Sequence, residues 1–343
     1  GHSNVKSFGF SDELISTSDL LKKLRKSDDN SVDEDTYIRA RLFDMLIGDW
    51  DRHEDQWRWA EFKQNKRTIY KPVPRDRDQA FSKYDGFILG FLTRAIPTLK
   101  LMQFYGDKMR GVKWFNLEPY PLDKALINNS TYKNWEEQVK YIQENITDEV
   151  IENAFEQMPD EVKDETFTEI KIKLKGRLKN LPKIAKIYYK HLSKYAVVKG
   201  NDKDNWFDIV RLEDGKTSIK IFNIKKGKKG TQIFEKIYTK NETRKIWVYG
   251  LDDKDVFKVS GTKNNSIPLR IIGGQNNDTY IIESGKRVSI YDYKTKKNTF
   301  KTRKGNLKLF NNYEANSYNY KKLKYSQNQL IPSIGSNPDD GFK

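Results

Sequence analysis

Two twelve-residue segments of this chain are degenerate copies of each other, and an internal repeat restricts a fold more than any composition does. Val248 to Val259 (VYGLDDKDVFKV) aligns with Ile271 to Ile282 (IIGGQNNDTYII) at an offset of 23 residues. Gly250 then matches Gly273, Asp255 matches Asp278 and Phe257 matches Tyr280. A weaker third copy runs from Val288-Ser289-Ile290 to Asn298-Thr299-Phe300. Each copy reads as a strand, a polar turn and a second strand carrying an inward aromatic. One such unit cannot bury its apolar face alone, whereas stacked units can. The expectation is a small β-solenoid or a set of parallel rungs.

The turns of the two better copies carry Asp253, Asp255, Asn276 and Asp278. The segment GGQNNDTYI resembles the calcium-binding nonapeptide of RTX proteins, with Asn276 where glycine is usual. Calcium there lies between successive turns, so the resemblance implies a calcium turn formed by those four residues. A purely structural turn, needing Gly and Asx for positive φ, accounts for the same residues. Both readings stay open at this stage.

Around residue 200 the hydrophobic period changes. Before it, apolar residues recur at helical spacing. Ile38, Leu42, Met45 and Leu46 mark one helix, with Asp33 or Asp35 able to cap its start. Trp135 to Met158 reads as a second, ended by Pro159-Asp160. A third runs from about Glu165 to Val198, where Pro182 is expected to break or kink it. From Asn201 the period is two. Phe207 to Leu212, the turn Glu213-Asp214-Gly215 and Ser218 to Phe222 read as strand, turn, strand, and short strands continue to about Leu330. The chain is therefore expected to be an α+β multidomain protein. A mainly helical domain would span residues 4–198, an all-β, partly repetitive domain 199–330, and a linker 331–343.

Composition narrows the chemistry. The 343 residues include no cysteine, which excludes disulfides, thiolate metal sites and a cysteine nucleophile. The three histidines are His2, His53 and His191. Gly1-His2-Ser3 reads as a cloning remnant and is set aside, so a multi-histidine metal site is not expected. That remnant and the abrupt ending at Gly341-Phe342-Lys343 suggest an excised fragment. The net charge is +16, and most of the excess lies beyond residue 200, as in Lys225, Lys226, Lys228 and Lys229 around one glycine. Such a surface is either simply solvated or faces an anionic partner. The most apolar stretch, Phe87 to Gly106, is interrupted by Arg94, Pro97 and Lys100 and is not a membrane span.

The chemistry-bearing residues sit in two acidic loops. One is Gly48-Asp49-Trp50-Asp51-Arg52-His53-Glu54-Asp55-Gln56, after the first helix. The other is Pro74-Arg75-Asp76-Arg77-Asp78-Gln79, after a strand containing Thr68-Ile69-Tyr70. Flanking one strand pair, they could bring carboxylates together. Phosphoryl transfer needs such a set: one carboxylate orients the attacking hydroxyl and others hold Mg²⁺ against the phosphates. Asp49, Asp51, Asp76 and Asp78 could instead hold two metals for a phosphodiesterase or nuclease. The bland reading is a buried Arg–carboxylate network tying the loops together.

Asp51-Arg52-His53 followed by Gln56 resembles the DRHxxN catalytic loop of atypical, HipA-like and CotH-like kinases. PRDRDQAF resembles the PWDxDxxF metal-binding segment of CotH kinases. The resemblance implies Asp51 as the catalytic carboxylate, Arg52 and His53 as loop braces, and Gln56, Asp76 and Asp78 as metal-binding, with Mg²⁺ or Mn²⁺ and a nucleotide as cofactors. Gln56 departs from the usual Asn. No G-x-G-x-x-G lies among the fifty residues before Asp51, so a nucleotide-binding N-lobe is cut off upstream or lost.

More widely, RLFDMLIGDWDRHEDQWRWAEF…PVPRDRDQAF, GLDDKDVFKVSG, RIIGGQNNDTYI and the ending IPSIGSNPDDGF resemble a region of Bacteroidetes outer-membrane proteins. In those proteins it joins a calcineurin-like metallophosphoesterase to a BamA/TamA-like, surface-antigen barrel. The resemblance covers nearly the whole chain. It implies a place on the periplasmic side of the outer membrane, a barrel of the same protein as partner, anionic envelope lipids rather than nucleic acid as further partners, and scarce ATP. The expected function is a scaffold or recognition module with a vestigial or latent kinase-like site. The alternatives are a phosphotransferase that needs a missing N-lobe, a two-metal phosphodiesterase or nuclease, and an electrostatic binder of anionic lipid or lipopolysaccharide.

Overall fold

The computed structural model describes residues 11–82, 105–262 and 264–322, and the backbone of 336–337 and 341–342. Most of the apolar stretch from Phe87, the amino-terminal remnant, and most of the expected linker 331–343 lie outside the described residues. The chain is a mixed α/β protein. Among the described residues, no helix is long and apolar enough to cross a membrane.

The first unit opens with β1 (Glu13–Ser16), α1 (Thr17–Lys26), β2 (Asn30–Val32) and α2 (Glu34–Ile47), then the hairpin β3 (Trp57–Gln64) and β4 (Arg67–Pro74). Helices α3 (Val112–Phe115), α4 (Tyr120–Leu126), α5 (Tyr132–Asn145), α6 (Asp148–Glu156) and α7 (Glu165–Ser193) follow. The second unit contains β5 (Tyr195–Lys199), β6 (Asn205–Arg211), β7 (Lys216–Lys225), β8 (Lys228–Thr239), β9 (Lys245–Leu251), β10 (Val256–Gly261), β11 (Leu269–Gly274), β12 (Thr279–Ile282), β13 (Val288–Asp292), β14 (Thr299–Arg303), β15 (Asn306–Leu309) and α8 (Tyr313–Asn316). Ser336–Asn337 and Gly341–Phe342 pair antiparallel.

The first unit holds more strand than its helical periodicity suggests. Its four strands form one sheet in the order β1-β3-β4-β2. Trp57, Trp59, Tyr37 and Tyr70 fill the space between this sheet and its helices, and the first three rings lie 5.0–6.1 Å apart. A second core joins α2, α5 and α7 through Ile38, Leu42, Met45, Trp135, Val139, Leu181 and Tyr188.

Two helix boundaries differ from the sequence reading. The expected helix from Trp135 to Met158 is two helices, because the Thr147 hydroxyl caps α6 by accepting the Val150 N–H at 3.3 Å, a restart signal stronger than continued apolar spacing. Pro182 does not end α7. Proline leaves the carbonyl four residues back without its helical donor, and here the Gln143 amide of α5 donates to Leu178 O at 3.0 Å.

In the second unit β5, β9, β11, β13 and β15 form one parallel sheet, in the spatial order β15-β13-β11-β9-β5. Strands β6, β10, β12 and β14 form a second parallel stack, extended antiparallel by the hairpin β7–β8. The chain passes from one sheet to the other and back, and the inward side chains of both sheets make one core. Because β5 pairs with β9, the second unit starts at Tyr195, a few residues before the expected boundary.

The repeat has four copies where two were clear in the sequence. Phe207, Phe257, Tyr280 and Phe300 stack ring on ring, with centroids 4.7, 5.3 and 5.1 Å apart, close to the separation of neighbouring strands. Two residues before each ring an Asx side chain links the rungs. Asp255 Oδ1 accepts Asn205 N–H, Asp278 Oδ1 accepts Asp255 N–H, and Asn298 Oδ1 accepts Asp278 N–H, each at 2.8 Å. The Asn205 copy escapes a 23-residue search because the β7–β8 hairpin separates it from the next copy by 50 residues.

Gly250 is where backbone meets this ladder. A Cβ there would overlap Asp255 Oδ2 and the Gly273 carbonyl. Gly250→Ala is therefore expected to destabilise the chain by roughly 1–3 kcal/mol through overpacking. Urea unfolding would measure this, and a loss within error would mean that the rungs part freely.

Candidate functional site

The two acidic loops meet at the end of α2. Asp33 caps the helix start by accepting Thr36 N–H at 3.0 Å, and Asp35 lies inside the helix. Gly48 ends it in the left-handed conformation at φ +81°, donating to Asp44 O. A Cβ there would come 2.7 Å from the Tyr105 ring. This turn delivers Asp49, Trp50 and Asp51 toward the end of β4.

Arg52 holds the loops together. Its side chain is fully buried. Nη1 donates to the carbonyls of Arg75 and Asp76, both at 2.6 Å, and Nη2 donates to Gln56 O at 2.9 Å. Nη1 also pairs with Asp49 Oδ2 at 3.2 Å, and Nε faces Asp44 Oδ2 at 3.4 Å. The guanidinium lies 4.7 Å from the Trp57 ring centroid.

Behind it is a charged core. Asp44 accepts from Arg41 Nη1 at 2.9 Å and from Arg77 Nη2 at 3.1 Å. Arg41 Nε reaches both oxygens of Asp123 at 3.1 Å, and its Nη2 reaches Asn116 Oδ1 at 2.6 Å. Asp123 also accepts from Tyr37 and Tyr188 at 2.7 and 2.5 Å. Burial and the Asp44 charge push Asp49 up to about 6, against the pull of Arg52, Arg41 and Arg77. Its Oδ1 is buried without a partner.

The sequence-derived site residues are thus brought near one another but do different things. Arg52 braces the loops. His53 instead opens a 3-10 turn, its Nδ1 accepting Asp55 N–H at 3.3 Å. Gln56 contributes its main-chain carbonyl, which also accepts from Arg75 N–H at 2.9 Å. Asp51 is half-buried, and its carboxylate has no hydrogen-bond or ion-pair partner among the described residues. Asp76 stands at φ +43° with an exposed side chain. Asp78 is exposed and accepts from the Gln79 amide at 3.1 Å. Asp49 of the two-metal alternative is engaged by Arg52. Among the described residues no three Asp, Glu or His side chains converge as a metal site.

Asp255 and Asp278 point inward and accept backbone N–H groups, Asn276 donates to Asp252 Oδ1 at 2.7 Å, and Asp253 takes a positive-φ turn position. These are turn and ladder roles. Oδ2 of Asp255 and of Asp278 is buried without a partner. Burial and the Asp278 charge push Asp255 well up. Burial and the Asp292 charge push Asp278 up to about 8.

Two members of the Arg–carboxylate core, Asp44 and Asp123, escaped the sequence reading. The available signal was Arg41 and Asp44, three apart on the apolar stripe of α2, where a solvated pair has no place. Asp123 carried no local signal. Compared with protein-family models, curated proteins and solved structures, the chain matches none.

Proposed function

We propose that this chain is a scaffold or recognition module of the cell envelope, on the periplasmic side of an outer-membrane barrel. In this reading the first unit is a relative of the atypical-kinase C-lobe, the second is a short β-solenoid, and the acidic loops act as structural glue. The observation that supports it most is the engagement of Arg52, Asp44 and Asp49 with one another and with main-chain carbonyls. Calorimetric titration with Mg²⁺ or Mn²⁺, with and without ATP, tests it. No saturable heat is expected. The Asp51→Ala, Asp76→Asn double variant, which keeps at position 76 a residue tolerant of its positive φ, should unfold within about 1 kcal/mol of the parent. Metal-dependent nucleotide binding that this variant abolishes would overturn the reading in favour of a latent phosphotransfer site.

A second reading rests on the rung from β13 to β15. Between Asp292 and Glu314 there is no acidic residue, and seven basic residues from Lys294 to Lys308 are exposed without an ion pair among the described residues. That face suits anionic lipid. Such binding would fall steeply with salt and survive loss of the acidic loops.

A further inference from the structure

At the junction of the two units lies a cavity of about 320 Å³, walled by α4, α5 and the end of α7 on one side and by β8 on the other. Its lining is rich in hydrogen-bond donors. Lys124 is 6% exposed and donates to the Leu192 carbonyl at the end of α7. Lys236 donates to the carbonyls of Asn128 and Ser130 at 2.8 and 2.9 Å. An ammonium has three protons to give, so Lys124 keeps two and Lys236 one. Neither amine pairs with a carboxylate among the described residues. Trp135, fully buried, lines the same cavity, and its Nε1–H has no acceptor.

A buried amine and a half-buried one, neither in an ion pair among the described residues and both with protons still to give, are costly to leave as they are. An oxyanion answers both amines, since its oxygens accept several charge-assisted bonds at once. We propose that this cavity is a binding site for a small oxyanion, a carboxylate or phosphate, held between Lys124 and Lys236. Its volume is at the lower end of the small-molecule range. Because Lys124 belongs to the helical unit and Lys236 to the β unit, the ligand would clamp the two together.

The charges around the cavity are of both signs, with Glu242 in its lining. Glu34 accepts from the N–H groups of Asn128, Asn129 and Ser130 and from the Ser130 hydroxyl, on the far side of the loop that Lys236 grips. Glu242, exposed after β8, accepts from the Tyr189 hydroxyl at 3.4 Å. His191 on α7 is pushed down to about 4 by burial and by neighbouring lysines, and burial holds the Tyr238 phenol neutral. Burial and Lys236 bring Lys124 down to about 7, and burial also lowers Lys236 against the pull of Glu34 and Glu242. Anion affinity should therefore weaken as pH rises past neutrality.

Calorimetric titration of the full chain with inorganic phosphate, and separately with succinate, at about pH 6.5 and about pH 8 is the test. Saturable one-site binding of at least one probe is expected, weaker at the higher pH, and the tighter probe assigns the class. Lys124→Met and Lys236→Met keep the aliphatic stem and remove the amine. Each should weaken binding about tenfold or more, the effect of losing one charged hydrogen bond. Lys228→Met, on the exposed β7–β8 turn, should change nothing. If Lys124→Met does not fold, Lys236→Met and the pH comparison on the native chain decide. No saturable binding of either probe, or binding that Lys236→Met leaves intact, overturns the proposal. Binding lost in Lys228→Met would move the anion to the basic surface and overturn it equally.

Discussion

Arg52→Met is expected to destabilise the first unit by roughly 3–5 kcal/mol, the usual cost of removing one partner of a buried ion pair. Methionine approximates the volume, so the loss is electrostatic and hydrogen-bonding rather than a cavity. It strands Asp49 in the interior, takes one of three arginines from Asp44, and leaves the carbonyls of Gln56, Arg75 and Asp76 without the donor that joins the loops. Arg52→Lys should recover only part of the stability, because one ammonium cannot span three carbonyls and two carboxylates in the planar fork that a guanidinium offers. Urea unfolding of parent and variants measures both. A loss below about 1 kcal/mol, the value of an exposed pair, would show that the loops are held by packing alone. The same variants would then have to be re-examined for a role at an active site.

Asp278→Asn is expected to stabilise the β unit increasingly as pH rises. The chain contains the precedent: Asn205 and Asn298 occupy the equivalent ladder position in the outer rungs, and Asn298 supplies the same Oδ1 bond. Asp278 adds a carboxyl oxygen with no partner, and burial with the nearby Asp292 raises its folded value to about 8 from an ordinary 3.8. A raised carboxyl binds its proton more tightly in the folded than in the unfolded chain. Its contribution is complete below about pH 4 and is lost as pH rises toward 8, at up to about 1.4 kcal/mol per pH unit.

Other groups act in the same range. Asp49 and Asp292, both pushed up to about 6, lose stability in the same direction over the lower part of the window. His191, pushed down to about 4, opposes them below its ordinary 6.5. Lys124, lowered to about 7, opposes Asp278 above that. The difference between variant and parent reads Asp278 together with the relief of Asp255, which the Asp278 charge pushes up, and thermal unfolding at intervals from pH 5 to 9 measures it. A difference that stays flat with pH would mean that Asp278 is ionised and compensated in the fold.

Local features were legible where neighbours along the chain suffice. Ile38, Leu42 and Met45 name a helix face because α-helical geometry brings residues three and four apart together. Gly250 and Gly273, with their Asx and aromatic followers, name a rung because each copy repeats the same local packing problem. The strand content of residues 11–74 was less legible. Strand β1 is short, and Trp57 and Trp59 serve equally well as helix or strand core. What Pro182 does to α7 depended on Gln143, on a different helix.

The periodicity alone settled that a helical segment precedes a β repeat and where each inward aromatic sits, since both follow from side-chain direction along a regular backbone. The charged interior was settled only by packing. Arg41 meets Asp123 across 82 residues and Arg52 meets Asp76 O across 24. No local rule states whether a carboxylate in an acidic loop faces water, a guanidinium or a ligand. Asp51, Asp49 and Asp44 are close in sequence and of one chemistry, yet one is half-buried and has no partner among the described residues while two are buried among arginines. Electrostatic energy depends on through-space distance and burial, and those exist only once the chain has folded.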